Sequence, residues 1–151
     1  MGRFLTTLKT EQITEGTLLR KAKFKLTSPL VYQSGVLNDT IIVPEGFVTD
    51  FATVPRLPIV YALLGNLGNA AACLHDFLYT APHGISAHAV CNAVSRKLAD
   101  QVLKEATIDG MVSTDSNSTG TWQSIKNIFY NLIGSLFYIG VRIGGTSHWG
   151  K

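Results

Sequence analysis

The 151 residues include 46% apolar but only 15% charged side chains, and the formal charge is +3. That length suits one domain (1–151) with one sizeable core, and the sparse charge with a mean hydropathy of +0.20 implies that much surface is buried, including against partner chains. Arg3, Lys9, Arg20, Lys21, Lys23 and Lys25 are spread through the N-terminal region with no dense basic block and no interleaved aromatics, which argues against specific nucleic-acid binding.

Residues 1–48 carry strand-like pieces at Thr17–Leu19, Phe24–Leu26, Leu30–Tyr32 and Thr40–Val43, punctuated by Gly16, Pro29, Gly35 and Pro44-Glu45-Gly46. A small antiparallel sheet follows. Pro55 and Pro58 rule out a regular helix across 54–58, so Asp50 to Arg56 reads as an irregular loop. From Leu67 to Tyr79 apolar residues recur at 67, 71, 74 and 78, a helical period that places His75 and Asp76 near the C-terminal end of a helix. Ser86 is an N-cap candidate for a second helix with stripe Val90, Val94, Leu98 and Val102, ending near Gly110. Residues 113–120 form a Ser/Thr/Gly linker, and a third, apolar helix spans about Trp122 to Ile143.

That last helix has no charge between Asn127 and Val141, a stretch too short to span a bilayer. Ile125, Ile128, Leu132, Leu136 and Ile139 make one apolar stripe; Phe129, Tyr130, Ile133, Phe137 and Tyr138 make much of the remainder apolar. One core covers one side, so the other is expected to meet another chain, or in second place a membrane surface, with Phe137 on the side that assembles. Cys73 and Cys91 belong to no metal or redox spacing and read as buried small hydrophobes in a reducing compartment; no secretory signal opens the chain.

The chemistry sits in two runs, Gly46 to Arg56 and Leu74 to Tyr79, where ionisable side chains stand among apolar ones. Buried charges need partners, so Asp50, Arg56, His75 and Asp76 are expected to converge. An adjacent His-Asp pair can ligate a divalent ion such as zinc when other carboxylates join it, and Asp50 and Asp100 are the candidates; Asp50, His75 and Asp76 would then be catalytic. The structural alternative is equally concrete. Neighbours on a helix point about 100° apart, so His75 and Asp76 need not share a target, while Arg96, Asp100 and Lys104 have the i, i+4, i+8 spacing of a surface ion-pair ladder. No G-x-S-x-G elbow and no phosphate-binding glycine fingerprint occurs.

The runs Gly46-Phe47-Val48-Thr49-Asp50-Phe51-Ala52-Thr53-Val54-Pro55-Arg56, His75-Asp76-Phe77-Leu78-Tyr79 and Arg96-Lys97-Leu98-Ala99-Asp100, with Glu105-Ala106 and Gly110 trailing, resemble the signature of a phage and prophage family known as domain of unknown function 1353. The likeness covers about residues 40 to 110; the stretch from Ala81 to Val94 is longer than that pattern. It implies an origin in a tailed phage or prophage, residence in the bacterial host cytoplasm during assembly or in the virion, and no settled activity. The cluster it marks includes Arg56, Arg96, Asp100 and Tyr79 as binding or structural residues.

The combined expectation is an α+β chain, a small N-terminal antiparallel sheet packed against three helices. It reads as a virion-associated or tail assembly accessory protein that meets other virion proteins or itself through the C-terminal helix. The alternative is a small metal-dependent hydrolase acting on the host envelope, carried by Asp50, His75, Asp76 and Asp100.

Overall fold

Six strands, Arg3–Phe4 (β1), Thr10–Thr14 (β2), Lys23–Leu26 (β3), Leu30–Ser34 (β4), Asp39–Val43 (β5) and Val48–Thr49 (β6), precede three helices, Pro58–Thr80 (α1), Arg96–Thr114 (α2) and Thr121–Gly144 (α3). The structure, a computed structural model, describes residues 2–16, 22–51, 58–80, 94–114 and 121–144, with side chains apart from 58–67, 112–114, 121–123 and 125. The class is α+β. The strands form two three-stranded antiparallel sheets, ordered β1-β4-β5 and β2-β3-β6, where the sequence suggested one.

The division has a local cause. β4 and β5 pair from Leu30↔Val43 to Ser34↔Asp39, and their alternation buries Leu30, Tyr32, Ser34, Ile41 and Val43. The chain then reaches Pro44, which has no N–H to extend the ladder, and Gly46 at φ +85, a conformation glycine takes without a Cβ penalty. Gly46 N–H donates to the Leu26 carbonyl and Leu26 N–H to that of Phe47, so β6 joins β3 in the second sheet. β2 reads TEQIT and lies mostly exposed, without the apolar alternation that would mark it as a strand. The strand expected at Thr17–Leu19 lies outside the described residues.

α3 begins at Thr121, beside the expected Trp122, but α1 and α2 begin elsewhere than their periodicity suggests. α1 opens at Pro58, well before Leu67, because proline's fixed φ suits the first helical position and its missing N–H would be unpaired there anyway. α2 opens at Arg96, not near Ser86: the Ser95 side chain accepts the Leu98 N–H at 3.3 Å and its carbonyl the Ala99 N–H at 3.0 Å, which is an N-cap. Ser86 and Val90 lie outside the described residues. α2 also runs past Gly110 to Thr114.

α2 packs against both α1 and α3 and also touches β1 and β4. The core joins Leu26, Tyr32 and Val43 to Ala71, Leu74 and Phe77 of α1, to Val102, Leu103 and Ala106 of α2, and to Ile133 and Phe137 of α3. Gly134 permits the α2–α3 approach, since a Cβ there would come within 2.9 Å of Ile108 Cγ1. Phe137 is 1% exposed, so its side of α3 faces the core and the stripe through Leu132 and Leu136 faces out, the reverse of the expected orientation. Among the described residues no helix is long and apolar enough to cross a membrane.

Candidate functional site

Spacing along two helices builds the site. His75 and Tyr79 are one turn apart on α1, as are Arg96 and Asp100 on α2, so each pair shares a face and the two faces meet. Asp100 is fully buried and His75 nearly so. His75 Nε2 lies 3.0 Å from Asp100 Oδ1, and the same oxygen accepts the Tyr79 hydroxyl at 2.5 Å. An ionised carboxylate only accepts, so the imidazole donates from Nε2. The imidazole and phenol rings stack in a tilted pair with centroids 4.1 Å apart.

The third helix closes the network. Arg142, in the last turn of α3, donates from Nη1 to Asp100 Oδ2 at 3.2 Å. Arg96 donates from Nε to the Tyr79 hydroxyl oxygen at 3.2 Å and from Nη2 to the carbonyls of Val141 and Arg142 at 3.0 and 2.8 Å. Those carbonyls belong to the final turn of α3, where backbone acceptors have no helical partner and a guanidinium opposes the negative end of the dipole. One buried carboxylate thus ties three helices. Burial is the largest influence on Asp100 and would raise its pKa, but hydrogen bonds from His75 and Tyr79, the His75 charge and the Arg142 bond together hold it below the ordinary value. Tyr79 is pushed up to about 12 by burial and by donating to Asp100.

Asp76 turns elsewhere. Its Oδ2 accepts the Thr49 hydroxyl at 2.5 Å, and Thr49 Oγ1 accepts the Phe51 N–H at 3.1 Å. This holds Phe51 at φ 49, a left-handed conformation seldom taken by a bulky residue, with its ring on Phe24 at 5.0 Å between centroids. Asp50 lies half-buried in that turn. His75 therefore links α1 to α2 and α3, while Asp76 links α1 to β6.

Of the residues singled out in the sequence, the structure brings His75, Tyr79, Arg96 and Asp100 together, seats Asp76 on the strand that leads into Asp50, and leaves Arg56 outside the described residues. The ladder expected at Arg96, Asp100 and Lys104 is instead an interior network, because Asp100 faces α1 and Arg96 reaches past it to α3. Among the described residues no three His, Cys, Asp or Glu side chains are disposed to hold a metal ion. Nor is any buried side-chain nitrogen or oxygen among them without a hydrogen bond. What this arrangement does chemically is hold charge in place.

Sequence reasoning missed Arg142, whose only signal is being the cation that closes the charge-free stretch from Asn127 to Val141. It also missed a second buried cluster on another face of α2. There Tyr32 donates to Asp109 Oδ2 at 2.6 Å, and Glu105 accepts from Ser34 Oγ at 2.9 Å, Gly35 N–H at 3.0 Å and Val36 N–H at 3.4 Å. Burial, foremost, raises the Asp109 pKa; the Tyr32 hydrogen bond works against it and the Glu105 charge adds to it. Gly2 closes the cluster, since a Cβ there would fall 2.0 Å from the Tyr32 hydroxyl. Beside it Val36, Gln101, Lys104, Ile108 and Tyr138 help line an open groove of about 560 Å³. Glu105 and Asp109, one turn apart on α2, were the available signal.

A family model described as "Protein of unknown function (DUF1353)" matches residues 24–122. The match takes in β3 to α2, and with them Thr49, His75, Asp76, Tyr79, Arg96 and Asp100; Arg142 and nearly all of α3 lie beyond it. No curated protein and no solved structure matches the chain.

Proposed function

The chain belongs to the DUF1353 family, and from that membership, with the resemblance of its signature to phage and prophage proteins, we propose that it is a phage-encoded virion-associated or tail assembly accessory protein that works by docking. It acts in the host cytoplasm during assembly or within the particle. The single observation that carries the reading is the outward face of α3, where Ile128, Phe129, Leu132, Leu136, Ile139 and Ile143 are 43% to 78% exposed. A contiguous apolar face of this kind on a chain with 15% charged residues is what a docking protein presents. The buried polar residues support the same reading: His75, Tyr79 and Arg142 direct their hydrogen bonds to Asp100 and Asp76 accepts from Thr49, which braces helices and leaves the metal-dependent hydrolase as the less supported alternative.

The test is genetic and biochemical. Particles made by a phage encoding Leu132→Glu/Leu136→Glu in this chain are counted and their proteins identified by mass spectrometry, beside the unaltered phage. The expected result is the chain present in wild-type particles or their precursors and a fall in particle yield with the double variant. Normal yield from a phage lacking the gene, with no copy of the chain in particles or precursors, would overturn the proposal.

A further inference from the structure

Resting on the reading of α3 as a docking helix, we infer that its occupant is a second copy of the same chain, paired antiparallel across a two-fold axis near Leu136. Three observations carry this. The six outward side chains are 43% to 78% exposed and form one contiguous apolar patch along the helix, the kind of surface that a monomer seldom leaves open and that a subunit interface covers. The face is a ridge on a single helix, whose i, i+4 rows fit the grooves of another helix.

The spacing is also close to palindromic. Ile128, Leu132, Leu136, Ile139 and Ile143 step by four, four, three and four residues. Run antiparallel against itself, the stripe sets Ile128 opposite Ile143 of the twin helix, Leu132 opposite Ile139, and Leu136 opposite its own copy. An isologous contact requires that self-complementarity.

Charge agrees with the geometry. A two-fold axis brings like residues toward one another, and between Asn127 and Val141 there is no charge to repel. Arg142, at the end of the stripe, is drawn back onto Asp100. Gly140 adds a notch at the edge of the face, with nothing within 4 Å of where its Cβ would stand, into which a side chain of the twin helix fits.

The experiment uses the full chain with Cys91→Ala. Cys73 stays, because it is wholly buried and its thiol pKa is raised by that burial and by the Asp76 charge, which keeps it unreactive. Light scattering after size exclusion gives the mass, and single cysteines at positions 136 and 128 are oxidised in turn. The expected result is a dimer that cross-links through Leu136→Cys and not through Ile128→Cys, whose two copies would lie about 22 Å apart. Leu136→Glu should weaken the dimer on the order of a hundredfold with the melting curve retained.

Cross-linking at both positions would overturn the antiparallel arrangement. A monomer at high concentration would overturn self-pairing, as would a monomer that floats with anionic phospholipid vesicles, which would make the face a membrane-surface helix. Loss of particle yield in the Leu132→Glu/Leu136→Glu phage, alongside a monomeric chain, would show that docking stands with a different partner.

Discussion

His75 on α1 and Asp100 on α2, 25 residues apart in sequence, meet at 3.0 Å with both side chains almost wholly buried. Two more donors, Tyr79 and Arg142, converge on the same carboxylate. Removing the acceptor therefore strands three donors, whereas removing one donor strands little. Asp100→Ala should cost about 3 to 5 kcal/mol of stability and His75→Ala about 2 to 4. Urea titrations followed by far-ultraviolet circular dichroism measure both, and equal, small losses would show that the network bears little load.

Acid should dismantle the same network. The folded pKa of Asp100 is depressed, so its contribution is fully present above the unfolded value, about 3.9, and is lost as pH falls through the folded value. Stability should decline with falling pH below about 4 in the wild type, and that decline should be shallower in Asp100→Asn. Denaturant midpoints from pH 2.5 to 7 test the difference in slope.

Tyr32→Phe should behave in the opposite sense. It removes the 2.6 Å hydrogen bond that the buried Asp109 carboxylate accepts from the Tyr32 hydroxyl, at a cost of about 1 to 3 kcal/mol near neutral pH. Because the pKa of Asp109 is already raised by burial, its folded state favours the proton, and that contribution is present at low pH and lost as pH rises through the folded value. The deficit of Tyr32→Phe should therefore shrink on acidification. A deficit that grows toward acid would contradict the assignment.

Glu105 reaches from α2 to the turn between β4 and β5 and holds the Gly35 and Val36 amides. Glu105→Ala should release them to faster hydrogen exchange and cost about 1 to 2 kcal/mol, while Glu105→Gln, which keeps one acceptor, should cost less. Exchange monitored by NMR resolves the two amides directly.

Adjacent residues on α3 should respond oppositely to one substitution. Phe137 is 1% exposed and Leu136 is 50% exposed. Phe137→Asp places a charge in the core and should unfold the chain or cost more than about 4 kcal/mol. Leu136→Asp should leave the thermal melt of the isolated fold near that of the wild type. Thermal melts of the two variants side by side decide it.

The sequence by itself determined the α+β class, the strands β3 to β5, the existence of all three helices and the signature residues, because period-2 and period-3.6 apolar patterns and the Pro/Gly stops are local properties of the chain. Charge within apolar runs also marked Asp50, Arg56, His75 and Asp76 as needing partners, and the resemblance to the family signature marked Tyr79, Arg96 and Asp100. Which partners it could not say. That Asp100 faces α1 and draws Arg142 from 42 residues away, that Asp76 turns to Thr49, and that Phe137 points inward while Leu136 points out depend on how α2 sits between its neighbours. α3 is apolar on two sides, so periodicity alone leaves its rotation undetermined. Close contact at Gly134 and the pull of Asp100 and Arg96 on its last turn set that rotation, and both exist only once the three helices are packed.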